Sequence, residues 1–351
     1  MELRQRQSSY TLMSESHSGP CQLYLPAGTG RNTLRHPDDL FAGLLQHSAV
    51  SVSLRQLLLP VTRQSAAIYS RLFPESPCPE INCSLTLYDR LNVALTVAQL
   101  SDISMLCDFY ANHLRPLAGP SGTKENNNRL TEITQYVRQL ACFPETACAP
   151  AISRLQNVGL TASDILTLHH ICGFISWQSR MMTGIMALSG IKLPAFFMFT
   201  SAPVFPDLLS DTVTPHKLPP AEFNLLREPA LEILREVQTL SHPDFVPLVI
   251  AHAPAPAQAW LCLRSISPGS LSEAQSRELE LAVNLPANTV SDHSISGSVS
   301  HLIRQLLQMP ARDCFIETER LNRNGWKSEA ILQLLSVVAS SGWDRALTPL
   351  S

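Results

Sequence analysis

The sequence predicts an all-α protein. Apolar residues recur at helical spacing through most of the 351 residues, no run alternates as a strand does, and no Gly-rich hairpin series appears. A third observation is an internal repeat of helical character. Arg154-Leu155-x-x-x-Gly159 returns as Arg320-Leu321-x-x-x-Gly325. Beyond each glycine, Ile165, Leu166, Leu168 and Trp177 fall in register with Ile331, Leu332, Leu334 and Trp343. Identities at arginine, glycine and tryptophan are more than two amphipathic helices share by chance, so the repeat reads as a duplicated helical unit.

Residues 1–37 are rich in Ser, Gly and Thr and read as an arm. A first unit covers 38–191. Its first helix begins near Asp38, with Leu40, Leu44 and Leu45 at helical spacing. The next fits Pro60–Phe73, since proline is tolerated in a first turn, and Pro74, Pro77 and Pro79 stop it. Two helices follow between Leu85 and His113: Leu91, Ala94, Leu95 and Ala98 stripe the first, and Met105, Leu106 and Phe109 the second. Lys124–Asn128 reads as a polar loop, and Thr131–Ala141 as a helix ended by Pro144. Thr161 with Asp164 three residues on has the form of a capping box that opens a long helix. Six prolines between 192 and 220 mark a linker. A second unit, 221–351, starts with a helix near Ala221–Leu240, is broken by prolines at 243, 247, 254 and 256, and then returns to helical periodicity.

Composition narrows the function. Net charge is −3 with no basic stripe, so nothing favours nucleic acid. Charged residues are only 16%, which suggests surface buried between subunits of a homo-oligomer. The longest apolar stretch, near Met181–Thr200, is broken by Lys192 and Pro194 and is no membrane span, and the polar start lacks a secretory core, so the cytoplasm is the expected compartment. The nine cysteines are odd in number, scattered and without a C-x-x-C, which favours buried thiols over disulfides or zinc.

Several clusters could carry chemistry. His169, His170 and Cys172 form H-H-x-C on the long helix, where His169 and Cys172 share a face; with no third ligand, core packing is the simpler reading, and no metal or cofactor is expected. Asp292-His293-Ser294 is no triad, because neighbours on a helix point apart, and an N-cap explains the run as well. Trp177 and Trp343 read as core anchors.

Ser294-Ile295-Ser296-Gly297-Ser298-Val299-Ser300-His301 resembles the motif helix of the carboxymuconolactone decarboxylase and alkylhydroperoxidase-D-like family, in its tandem, peroxidase-related form. The Leu160–Leu188 segment, with Trp177-Gln178-Ser179-Arg180, is similar to the closing helix of that family. Active members carry C-x-x-C-x-x-x-H and a glutamate about one helix earlier. The resemblance implies two tandem helical units, a trimer or hexamer, and His301 as the site histidine. The redox cysteines are replaced by Ser294 and Gly297. A serine hydroxyl cannot serve as the attacking thiolate or be oxidised to a resolvable sulfenic acid, so thiol peroxidase activity is expected to be absent. For the glutamate, Glu278 and Glu280 are both candidates: the family spacing lands on Ala282, and a two-residue insertion near Pro286 restores Glu280. Ser294, His301 and Glu280 are therefore the candidate catalytic residues of an alkylhydroperoxidase-D-like oxidoreductase whose redox cysteine pair is lost, or of a cysteine-independent acid-base enzyme acting on a small carboxylate or carbonyl compound. A non-catalytic oligomeric binding protein is the other alternative. In the first unit the same frame is expected at Leu106, Phe109 and His113, with His113 a packing residue.

Overall fold

The computed structural model describes residues 39–75, 83–144, 149–191, 228–237, 246–264, 271–284, 295–307 and 314–347. The arm and the proline-rich segment lie outside them. The described residues form α-helices and no strand, the architecture expected from the sequence. In order these are α1 (Asp39–Leu45), α2 (Val52–Leu72), α3 (Leu87–Ser101), α4 (Ser104–Leu114), α5 (Lys124–Cys142), α6 (Ala149–Asn157) and α7 (Ala162–Leu188). There follow α8 (Glu228–Val237), α9 (Val246–His252), α10 (Pro254–Arg264), α11 (Glu273–Asn284), α12 (Ile295–Leu307), α13 (Phe315–Arg323) and α14 (Ser328–Leu347).

Two boundaries differ from the sequence reading. α2 begins at Val52, capped by the Ser51 hydroxyl accepting from the Leu54 amide at 3.2 Å, so Pro60 lies inside the helix. Packing of Leu54, Leu58, Val61 and Ile68 into the core outweighs the backbone hydrogen bond that Pro60 withdraws. Lys124–Asn128 is not a loop but the first turns of α5, capped by Thr123. These turns are solvated, so they carry no apolar period to read.

α7 is the centre of the molecule. Residues 163–187 are all buried, so it has no polar face. Its capping box is as the sequence implies, with Thr161 and Asp164 bonded reciprocally. Asp164 does more than cap. Its carboxylate also accepts from the Ser84 amide and hydroxyl, both at 2.7 Å, and from the Leu85 amide at 3.2 Å, which fastens the lead-in of α3 to the start of α7.

The repeat has a geometric counterpart. Gly159 and Gly325 hold φ of +87° and +86°, a region that an L side chain enters only under strain. Each ends its helix in the same Schellman pattern. The Leu160 amide donates to Leu155 and the Trp326 amide to Leu321; Gly159 donates to Gln156 and Gly325 to Asn322. The long helices that follow, α7 and α14, pack on each other more extensively than any other pair. Contact is close because Gly173 lies against Trp343, Gly184 against Leu335, and Gly342 against Arg180. Trp177 and Trp343 are fully buried.

Gly173→Ala is expected to lower stability by about 1–3 kcal/mol, because its Cβ would overlap the Trp343 indole and neither helix backbone can retreat. Gly43→Ala in α1, where a Cβ meets nothing within 4 Å, is expected to change stability by no more than about 1 kcal/mol, and upward. Thermal melts of the two variants side by side check the contrast.

Apolar side chains form two cores. The larger takes in α1–α7 together with Ile233, Val249 and Trp260 of α8–α10. The smaller is built from α11–α14 and Ala187 at the end of α7. α14 serves both: Leu332, Ala339 and Trp343 face the first, and Ile331, Leu334 and Leu335 the second. No single described helix is long and apolar enough to cross a membrane. α6 and α7 together reach that length, but they meet at 117° and α7 is buried in protein.

Candidate functional site

His301 lies in α12, which packs between α11 and α13. The polar residues here come from α12 and α13. The side chain of His301 is 43% exposed, so a small molecule can reach it. Glu317 of α13 stands 3.9 Å from its Nε2, with only 5% of its own side chain exposed. Arg320 holds Glu317 with one guanidinium nitrogen, at 3.1 and 3.3 Å from the two carboxylate oxygens. Gln305, one turn along α12, places its amide nitrogen 3.1 Å from the same His301 nitrogen. The imidazole is thus flanked by an amide that fixes its ring and by a carboxylate at ion-pair range. Both neighbours lie at Nε2, so they orient the ring from that side and leave Nδ1 for a ligand.

Of the candidate residues from the sequence, His301 is therefore found in a polar, reachable setting. Ser294 lies outside the described residues, as does the side chain of Glu280; the α11 backbone that carries Glu280 packs on α12. Gly297 is in the first turn of α12. Glu317 is the residue the sequence reading missed. Its signal was present: Arg320 belongs to the repeated Arg-Leu-x-x-x-Gly motif, and an acid three residues before a helical arginine is its natural partner.

In the first unit, Leu106 and Phe109 are buried in α4, and His113 lies in its last turn. His113 is a packing residue, as expected: its Nδ1 is 2.8 Å from the Phe109 carbonyl and its ring lies 4.4 Å from that of Phe109 and 5.7 Å from Tyr69.

The helix that carries His301 is tied to the centre of the fold. Arg180 of α7, buried, donates from Nε to the Leu306 carbonyl at 2.8 Å and from Nη2 to the Leu307 carbonyl at 3.3 Å. Its charge sits at the negative end of the α12 dipole. Burial, then the nearby Arg345, lowers the Arg180 pKa to about 10, still well above neutrality.

The H-H-x-C cluster is core. His169 Nε2 is 2.6 Å from the Tyr136 hydroxyl and its Nδ1 bonds the Ala346 carbonyl, so neither nitrogen is open to a metal. His170 is fully buried beside Trp343 and neither of its nitrogens has a partner. Burial holds His169 down at about 4 and, with the neighbouring His169, His170 at about 3. Among the described residues no group of three or more His, Cys, Asp or Glu could hold a metal ion. Burial pushes the thiols of Cys142 and Cys172 upward, the opposite of what a nucleophilic cysteine needs.

No family model, no curated protein and no solved structure matches the chain.

Proposed function

We propose that this is a tandem alkylhydroperoxidase-D-like protein that has given up thiol redox chemistry, and that His301 and Glu317 form an acid-base pair acting on a small carbonyl or carboxylate compound. The observation that carries the reading is the buried, arginine-held Glu317 at 3.9 Å from a half-exposed histidine. The matching helix ends at Gly159 and Gly325 and the packing of α7 on α14 support a tandem unit. Serine and glycine at 294 and 297 supply no thiolate and no resolving thiol.

In this reading Nδ1 of His301, the ring nitrogen turned away from Glu317 and Gln305, accepts a proton from a carbon acid next to a carbonyl. Glu317 stabilises the imidazolium, Arg320 keeps the carboxylate from swinging away, and Gln305 keeps the ring in plane. The same nitrogen then returns the proton.

Solvent-deuterium exchange into small 2-oxo acids, followed by proton NMR, tests this. Exchange is expected with the native chain, about 100-fold slower with His301→Ala and about tenfold slower with Glu317→Gln. Hydroperoxide consumption with dithiothreitol as reductant is expected to equal the protein-free rate. Absence of exchange with the native chain would remove the acid-base pair, and thiol-dependent hydroperoxide turnover would remove the loss of redox chemistry.

A further inference from the structure

A cleft of about 470 Å³ opens between the start of α3, the α4–α5 connection and the first turns of α5, and no residue of α12 lines it. That volume lies within the usual range of small-molecule sites. Leu87, Tyr88, Leu117 and Leu130 give it apolar walls, and Asp89 and Arg129 stand together in its lining.

Two features of that charged pair point to a ligand. First, Arg129 is weakly engaged. Its contacts are 3.1 Å to the Ser84 hydroxyl, 3.4 Å to the Ser84 carbonyl, 3.5 Å to the Val158 carbonyl and 3.8 Å to the Asp89 carboxylate. Only the Ser84 hydroxyl lies within the usual range of about 2.7–3.2 Å, and Asp89 is well beyond the roughly 2.7–2.9 Å of a settled guanidinium–carboxylate pair. Asp164 beneath Ser84 does not compete for it, since peptide and hydroxyl donors already satisfy that carboxylate. Second, Asp89 commits only Oδ2, which accepts from the Thr86 amide at 3.0 Å; Oδ1 accepts no hydrogen bond among the described residues. The cleft thus presents a donor fork and an open carboxylate oxygen side by side at the edge of an apolar pocket.

We propose that this cleft binds a free α-amino acid with an apolar side chain. The carboxylate pairs with Arg129, the ammonium with Asp89, and the side chain lies along Leu87, Leu117 and Leu130. A bare carboxylate would meet Asp89 as a like charge, and a bare amine would meet Arg129 in the same way; only a ligand with both charges on one carbon suits both.

Gly119 provides a clean test. A Cβ there would touch the Tyr88 ring at 3.5–3.6 Å, an ordinary contact, and its φ is not positive, so a larger side chain enters the cleft without backbone strain. Calorimetry on the full chain with L-leucine, isocaproate and isoamylamine is the experiment. L-Leucine is expected to bind at least tenfold more tightly than either single-charge analogue. Gly119→Leu is expected to abolish binding with the melting temperature unchanged, and Arg129→Gln to weaken it at least tenfold. No heat with L-leucine, equal affinity for isocaproate, or full binding by Gly119→Leu would overturn the proposal. None of these results depends on His301.

Discussion

Replacing Asp164 with alanine is expected to cost about 2–4 kcal/mol, measured by urea unfolding with the dependence on denaturant unchanged. The change removes a helix cap, worth about 1 kcal/mol. It also strands the buried Leu85 amide, and a buried donor left without a partner costs about 1–3 kcal/mol; the half-buried amides of Ser84 and Thr161 can turn to water. Asp164→Asn keeps one acceptor oxygen and is expected to lose less than alanine does. Because Asp164 joins the start of α7 to the start of α3, both variants should also loosen the segment at Ser84, seen as faster amide hydrogen exchange there. A loss under about 1 kcal/mol for the alanine variant would mean that water replaces the carboxylate and that the tie has no structural weight.

The second large effect is with pH. His169 and His170 are held at about 4 and about 3 in the folded chain, against about 6.5 for an unfolded imidazole. Below pH 6.5 the unfolded chain therefore binds more protons than the folded one, so stability falls as the pH falls. Each histidine contributes about 1.4 kcal/mol per pH unit. The loss from His169 ends near pH 4 and that from His170 near pH 3. Urea midpoints between pH 7 and pH 4.5 should drop accordingly. His170→Leu should halve the slope, since no hydrogen bond is lost with that ring. His169→Leu should be costly at every pH, because it also strips the Tyr136 hydroxyl and the Ala346 carbonyl of their shared partner. A midpoint that stays flat from pH 7 to pH 4.5 would show that both rings reach solvent protons without unfolding.

The sequence was legible where a local rule acts alone. The Thr161–Asp164 capping box is a pattern of four residues, and it was read correctly. The glycine ends of α6 and α13 were visible as a repeat because only glycine takes that backbone conformation cheaply. What stayed hidden was set by partners distant in the chain. The second use of Asp164 depends on Ser84 arriving beside it, and no local pattern announces that. Pro60 looked like a helix start because its cost is offset by core contacts made elsewhere. Glu317 was passed over because an acid on an amphipathic helix is usually solvated, and only the fold brings it beside His301. The polar start of α5 was read as a loop for the related reason that a helix without a buried face carries no period.

The sharing of α14 between two cores orders events during synthesis. A chain emerging from the ribosome presents α7 long before α14, and domains ordinarily fold as they appear. Here the first core cannot close on that schedule. The surface of α7 around Gly173 and Gly184, which Trp343 and Leu335 later cover, stays open until α14 emerges. The nascent protein thus carries a long apolar helix with one uncovered side until Ser328–Leu347 has been made. Moving the coding order, by a circular permutation that places α14 ahead of α7, would let that surface close as soon as it is made.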